Sequence, residues 1–139
     1  MRSYCFDGRK KNRMGFWIFM AANSMLIPFL MIVAGYLFIK RPPRTINGIY
    51  GYRTSMSRKN QQTWDYAHYY CGKLWWKAGR ILGAVTLLIV LPVMGKGEEV
   101  IGSVAGIWVC LQCGVMLITI VFVERALKRR FDRNGNLRS

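Results

Sequence analysis

Charged residues are absent from three long stretches of this sequence, and polar segments separate the stretches. Residues 14–39 form an uncharged run of 26, residues 81–95 a run of 15 and residues 100–123 a run of 24. A helix needs about 20 apolar residues to cross a hydrocarbon core about 30 Å thick. The first and third runs reach this length, and flanking aromatic and basic side chains extend the second to residues 76–95. The pattern predicts a single all-α integral membrane domain, residues 1–139, with three transmembrane helices.

The same pattern yields expectations for the ends of the chain and for the second turn. Residues 1–13 show no apolar period, so we expect a mobile basic tail there. Residues 95–99 are short enough to force an antiparallel hairpin of the second and third helices. The C-terminal segment should begin as a helix and fray at Asn134 and Gly135.

Residues 43–76, between the first and second spans, begin with turn-forming residues. Two consecutive prolines end the first helix, and glycines in the loop that follows tolerate positive φ and let it fold back. Apolar residues then recur in steps of three and four, which predicts a helix that leads into the second span. Ser55 or Ser57 is the expected N-cap of this helix. We interpret the loop and helix together as the functional element.

A motif in this element resembles that of a known family. Its members are Pro43, Asn47, Gly51, Tyr52, Arg53, Thr54, Ser57, Asn60, Trp64 and Ala67. Their order and spacing resemble the SdpI family of bacterial membrane proteins, named after the immunity protein against a sporulation-delaying peptide toxin. His68 stands where the family pattern usually has Asn. The resemblance implies protection against a membrane-active peptide toxin, and also signalling by a transcriptional repressor held at the membrane.

Eight residues of the element are our candidates for partner binding. They are Asn47, Gly51, Tyr52, Arg53, Thr54, Asn60, Trp64 and His68. We expect Arg53 to shape the loop by pairing with Asp65 or with a carbonyl at a helix C-terminus, because its planar guanidinium can make two directed hydrogen bonds.

Small residues recur at four-residue steps in the third span and predict close helix packing. They are Gly102, Gly106, Cys110 and Gly114, and the second span offers Gly79 and Gly83 as a matching seam. Such seams allow helix backbones to approach each other within one chain or in a homo-oligomer.

The net charge of +15 comes mainly from basic residues that flank the apolar runs. This placement favours anionic lipid headgroups as partners over direct contact with nucleic acid. With three spans, 6 Lys and Arg residues lie on one face of the membrane and 15 on the other. The positive-inside rule then predicts a bacterial plasma membrane protein with its N-terminus outside and its C-terminus in the cytoplasm. The rival topology has the first segment re-entrant, turning at Pro28.

The sequence offers little for catalysis or metal binding. None of the six acidic residues lies inside a span, and His68 is the one histidine. Cys110 and Cys113 form a C-x-x-C pair within an apolar span without a basic neighbour, which favours small packing residues over a redox pair. We expect no enzyme activity, no metal and no cofactor. The alternative function is a small transporter, in which Asn23, Pro28 and Gln112 would line a path, or an accessory subunit of a larger membrane complex.

Overall fold

The computed structural model describes the backbone of residues 2–138 and the side chains of residues 10–138. It contains three long helices, α1 (Arg2–Lys40), α2 (Gln61–Val90) and α3 (Glu98–Arg130), with a short 3-10 helix at Leu91–Val93. Each long helix is long and apolar enough to cross a membrane. The prediction of an all-α protein with three transmembrane helices is therefore confirmed. The helix expected before the second span and the span itself are both parts of α2.

Large apolar side chains cover the outward faces of the three helices. Those more than half exposed include Phe19, Phe29, Ile81, Leu88, Ile107 and Leu117. In a water-soluble protein, an apolar surface of this extent is normally covered by a partner. In a membrane, lipid chains solvate such a surface along the whole length of the helices. The chain is accordingly a multi-pass membrane protein.

Glycines set the distance between α1 and α2, the two helices that pack most extensively. A Cβ added to Gly35 would lie 2.6 Å from the amide nitrogen of Trp76, and one added to Gly79 would lie 3.0 Å from the carbonyl oxygen of Pro28. Gly72 faces the carbonyl of Gly35 across the same contact. The helices approach this closely because these positions carry no side chain.

The small-residue seam of α3 does not pack against α2, contrary to the expectation. A Cβ added to Gly106 or Gly114 would have no heavy atom within 4 Å, and one added to Gly102 would reach only the ring of Phe16, at 3.8 Å. Cys110 in the same seam is exposed. Within one chain, the seam is therefore an outward surface of α3.

A polar cluster explains which face of α3 turns toward α2. The hydroxyl oxygen of Thr86 accepts hydrogen bonds from Gln112 Nε2 at 2.8 Å and from Trp108 Nε1 at 2.9 Å. An amide that faced lipid would lose such partners, and unpaired polar groups are costly in hydrocarbon. The Gln112 side of α3 is therefore buried and the glycine seam faces outward. Gly79 and Gly83, expected to match that seam, lie against α1 instead.

Both ends of the chain differ from their expectations. α1 begins at Arg2, so the basic segment expected as a tail without helical structure instead continues the helix of the first span. After α3 the chain turns back, and the amide of Arg138 donates to the carbonyl of Arg130 at 3.0 Å. We call residues 131–138 the C-terminal turn.

The carboxylate of Asp132 organises the C-terminal turn. It accepts hydrogen bonds from the amides of Asn136 and Asn134, both at 2.8 Å. These amides, that of Asn136 foremost, hold the pKa of Asp132 below its ordinary value. The expected fraying of this segment is wrong because the side chain of Asp132 satisfies the turn's backbone donors.

Candidate functional site

A cluster of buried apolar side chains lies at one end of the helices, which we call the loop end. The loop end comprises the last turns of α1 and α3, the first turns of α2, the loop of residues 41–60 and the C-terminal turn. Seven buried side chains pack together there: Tyr52, Met56, Ala67, Cys71, Val123, Leu127 and Phe131. The loop is thus packed onto the helices and forms part of the core.

His68 joins α2 to this loop. Its ring is fully buried. The amide of Tyr52 donates to Nε2 at 2.9 Å, and Nδ1 lies 2.8 Å from the carbonyl oxygen of Trp64. A backbone amide can only donate and a carbonyl can only accept, so the geometry requires a neutral ring with its proton on Nδ1. His68 thereby fixes the path of the loop at Tyr52.

Gly51, directly before Tyr52, allows this contact. Its φ is +116°, a conformation that residues with a side chain rarely adopt. A Cβ at this position would also collide with Nε2 of His68 and lie 3.3 Å from Cγ of Pro43. Glycine is required here both for its backbone conformation and for the space that His68 occupies.

Trp64 fills the space beneath the loop. Its side chain is fully buried, and Nε1 donates to the carbonyl of Pro43 at 2.8 Å. The ring centroid lies 4.4 Å from that of His68, and Phe38 at the end of α1 meets His68 edge-on at 5.0 Å. Trp64 therefore anchors the start of the loop, while His68 anchors its middle.

Tyr52 extends the network to the third helix. Its side chain is buried, and its hydroxyl donates to the carbonyl of Ile120 at 3.0 Å. Burial, together with the nearby negative charge of Glu124, raises the pKa of Tyr52 above its ordinary value. The phenol therefore keeps its proton and remains a hydrogen-bond donor to α3.

Asn60 is the N-cap of α2, where Ser55 or Ser57 was expected. Its side-chain oxygen accepts from the amide of Thr63 at 2.9 Å, and the hydroxyl of Thr63 accepts from the amide of Asn60 at 3.1 Å. Its side-chain amide donates to the carbonyl of Gly135 at 2.7 Å. Asn60 therefore caps α2 and also fastens the C-terminal turn to it.

Ser57 closes the turn between the loop and α2, which is why it does not cap the helix. Its hydroxyl donates to the carbonyl of Tyr52 and accepts from the amide of Thr54, both at 2.9 Å. The hydroxyl of Thr54 accepts in return from the amide of Ser57 at 3.2 Å. Each residue thus satisfies backbone groups of the other.

Arg53 does not pair with Asp65, contrary to the expectation. Its guanidinium donates to the carbonyl of Gly48 within the loop. Asp65 instead accepts from the side-chain amide of Gln61 at 2.7 Å, because the two lie one helical turn apart on α2. Arg53 is exposed and shapes the tip of the loop through the backbone.

Asn47 builds the tip from the other side. Its side-chain oxygen accepts from the amides of Ile49 and Tyr50, both at 3.1 Å, in an Asx turn. Both apolar side chains that this turn presents are exposed, Ile49 to 89% and Tyr50 to 54%. The tip therefore carries an apolar patch beside the charge of Arg53.

The eight candidate residues separate into two groups. Those that hold the loop in place are Gly51, Tyr52, Thr54, Asn60, Trp64 and His68, whereas Asn47 and Arg53 shape the exposed tip. Phe38 and Ile120 belong to the same network but were not among the candidates. Phe38 ends an apolar run and resembles an ordinary membrane anchor, and Ile120 contributes only its carbonyl, which leaves no signal in a sequence.

The comparisons with known proteins concern the same part of the chain. The family model described as "SdpI/YfhL protein family" matches residues 44–123, which include the loop, α2 and most of α3. The uncharacterized protein YfhL of Bacillus subtilis (strain 168) is 32% identical over 110 residues, which are 79% of this chain and 90% of that protein. No solved structure matches the chain. The chain belongs to the SdpI/YfhL protein family.

Proposed function

We propose that this protein protects the cell that makes it against a membrane-active peptide toxin, and that it does so by binding and without catalysis or a cofactor. Family membership and three membrane-spanning helices support the proposal. A membrane-active peptide acts in the bilayer, and the outward helix faces are the surfaces that such a peptide meets there. Protection by binding needs a shaped surface and no reactive groups.

A second surface suited to binding is the apolar tip of the fixed loop. Ile49 and Tyr50 project outward, although the backbone that bears them is held through Tyr52, His68 and Trp64. Exposed apolar residues on an immobilised backbone are typical of a binding surface, because little conformational entropy is lost when a partner covers them.

We further propose that the loop end lies in the cytoplasm and that the tip holds a transcriptional repressor at the membrane. The excess of basic residues on this face supports the cytoplasmic orientation, with the N-terminus outside. A soluble regulator could reach Ile49 and Tyr50 there. The partner surface that suits the tip is an apolar groove with acidic residues near the position of Arg53.

A bacterial strain without immunity of its own provides the test. Cells that express the protein and cells with an empty vector are challenged with a membrane-active peptide, and survival and membrane potential are measured. We expect the expressing cells to keep their potential at peptide concentrations that depolarise the control. Equal depolarisation at verified membrane abundance, across several such peptides, would overturn the immunity proposal.

Signalling is tested separately with a variant of the tip. Ile49→Ser with Tyr50→Ser removes the apolar patch, while Ile81→Ser with Leu88→Ser replaces two exposed apolar side chains of α2 as a control. We expect membranes with the tip variant to lose a regulator that wild-type membranes retain, and membranes with the α2 variant to keep it. A regulator retained by the tip variant at the wild-type level would separate the tip from signalling.

A second candidate function is that of an accessory subunit, or of a homo-oligomer. The outward seam of Gly102, Gly106 and Gly114 favours it, since these positions allow another helix to approach α3 closely. Cysteine cross-linking through Cys110, which lies exposed in the same seam, tests the homo-oligomer. Cross-linked dimers should form in native membranes and disappear for Gly106→Leu.

A further inference from the structure

A basic cleft is lined by residues of α2, α3 and the C-terminal turn at the loop end. It has a volume of about 570 Å³. Its lining consists of Tyr66, Tyr70, Ala126, Arg129, Arg130, Leu137 and Arg138. Three of the seven lining residues are arginines and none is acidic, so the cleft is a concentrated positive site.

The arginines of the cleft are positioned by the fold. The guanidinium of Arg130 lies 5.0 Å from the ring centroid of Tyr66, a cation–π contact that restricts its direction. Tyr66 and Tyr70 are stacked one helical turn apart, with ring centroids separated by 6.0 Å. Arg138 is brought back by the C-terminal turn, because its amide donates to the carbonyl of Arg130. The turn thus adds a third positive charge to two that α3 already carries.

The C-terminal turn is itself fixed to α2. The side-chain amide of Asn60 donates to Gly135 in the turn, and Phe131 is buried at its base and meets the ring of Tyr66 edge-on at 5.7 Å. The distance between Arg138 and the two arginines of α3 therefore depends on folded structure. Guanidinium groups held in this way can make several directed hydrogen bonds to one phosphate.

The depth of the cleft matches that of lipid headgroups. The uncharged run of α3 ends at Val123, and Ala126 and Arg130 follow after three and seven residues. At a rise of about 1.5 Å per residue, these positions lie roughly 5 to 10 Å beyond the end of the apolar run. The headgroup region begins at the boundary of the hydrocarbon core and is several ångströms thick. A lipid phosphate at its ordinary depth would therefore stand level with the cleft.

We propose that the cleft of Tyr66, Tyr70, Arg129, Arg130 and Arg138 binds the phosphodiester headgroup of an anionic phospholipid. The arginines hold the phosphate oxygens, the tyrosine hydroxyls donate to the remaining oxygens or to the headgroup alcohol, and the acyl chains extend along the exposed apolar faces of the helices. Leu137 and Ala126 form the apolar rim at which the chains leave the headgroup. The site is independent of the proposed immunity function.

Native mass spectrometry of the full chain, released from nanodiscs of phosphatidylglycerol and phosphatidylcholine, tests the site. The wild-type protein should retain one phosphatidylglycerol in preference to phosphatidylcholine. Arg129→Gln with Arg130→Gln and Arg138→Gln should lower this retention at least about tenfold, since each basic residue near an anionic surface contributes appreciably to binding. The matched control, Arg44→Gln with Arg58→Gln and Arg125→Gln, removes the same charge from exposed positions of the loop end outside the cleft and should remain within about twofold of wild type.

A charge-preserving variant and a folding control complete the test of the lipid site. Replacement of the three cleft residues by Lys preserves charge and should give intermediate retention, because lysine lacks the planar fork. Melting in pure phosphatidylcholine nanodiscs verifies that each variant is folded. Equal loss in the cleft and control variants, or none in the folded cleft variant, would overturn the proposal. So would inorganic phosphate that displaces the lipid at millimolar concentration, since the site would then recognise free phosphate.

Discussion

Nε2 of the His68 imidazole accepts a buried hydrogen bond of 2.9 Å from the backbone amide of Tyr52, sixteen residues earlier in the chain. The loop amide thus has a side-chain acceptor on α2, where an amide within a helix or strand would have a backbone carbonyl. Without it, the Tyr52 amide would be a buried donor with no acceptor. The bond therefore holds the loop against α2 at Tyr52.

Replacement of His68 should detach the loop. His68→Ala leaves the Tyr52 amide without an acceptor and opens a cavity beside Trp64, so we expect a loss of about 1 to 3 kcal/mol from the unpaired donor alone. Thermal unfolding in detergent and hydrogen exchange of the peptide that contains Tyr52 measure the effect. Tyr69→Ala, at the neighbouring exposed position, is the control. Unchanged exchange at Tyr52 in His68→Ala would show that the loop is held without this bond.

Gly51 and Gly48 should respond differently to the same change. Gly51→Ala places a methyl group against His68 in an unfavourable backbone conformation, which costs about 1 to 2 kcal/mol before any steric term. Gly48 has no heavy atom within 4 Å of an added Cβ, so Gly48→Ala should leave stability nearly unchanged. Melting temperatures of the two purified variants provide the comparison. The loop geometry described above requires Gly51→Ala to melt lower than Gly48→Ala.

The helix contact between α1 and α2 predicts a similar contrast within the membrane. Gly79→Leu forces a side chain against the backbone of Pro28. It should destabilise the protein by about 1 to 3 kcal/mol, the range typical of overpacking. Gly106→Leu on the outward face of α3 should not lower the stability of the monomer. Equilibrium unfolding in detergent under conditions that keep the protein monomeric distinguishes them. Equal destabilisation would mean that the α3 seam is packed after all.

Asn60 offers a way to separate its two roles. Asn60→Asp keeps the oxygen that caps α2 but loses the amide that donates to Gly135, whereas Asn60→Ala loses both. We expect Asn60→Ala to cost about 0.5 to 2 kcal/mol from the cap. Asn60→Asp should retain the cap and release the C-terminal turn, which limited proteolysis after Arg133 would detect. Equal protease resistance of Asn60→Asp and wild type would show that the turn does not depend on this bond.

Arg53 tests whether the shape of the tip matters for function. Arg53→Lys keeps the charge but loses the planar fork that donates to Gly48, so protection or signalling in cells should fall while membrane abundance stays normal. Arg44→Lys is the matched control, an exposed arginine of the same loop. Survival under peptide challenge and regulator retention are the readouts. Full activity of Arg53→Lys would leave charge as the only contribution of this residue.

The sequence was sufficient to predict the helices but not the contacts that orient them. Uncharged runs identify membrane spans because the thickness of the hydrocarbon core sets the number of apolar residues that a helix needs to cross it. The seam of Gly102 to Gly114 was predicted to pack against α2 because four-residue spacing indicates where helices can approach each other. The hydrogen bond of Gln112 to Thr86 instead turns another face of α3 toward α2. Gly79 was predicted as a packing residue, whereas Gly35 and Gly72, which also lie at the contact of α1 and α2, were not.

The candidate site was predicted as a set of residues but not as an arrangement. The motif identified Gly51, Tyr52, Trp64 and Asn60, since residues with special conformations or polar aromatic groups are visible in a sequence. Their partners are largely backbone carbonyls and amides, which every residue possesses. Arg53 was expected to pair with Asp65 or with a carbonyl at a helix C-terminus. It donates to the carbonyl of Gly48, a loop residue next to the Asx turn of Asn47.

The loop-end core consists of segments that are far apart in order of synthesis. Tyr52 and Met56 emerge from the ribosome early, whereas Val123, Leu127 and Phe131, against which they pack, emerge near the end. During translation the loop must therefore wait, with its apolar residues uncovered, until the third helix has been inserted. A chain that stalls before α3 would present an unfinished loop to membrane proteases or chaperones, and completion of this core would mark the molecules that have inserted all three helices.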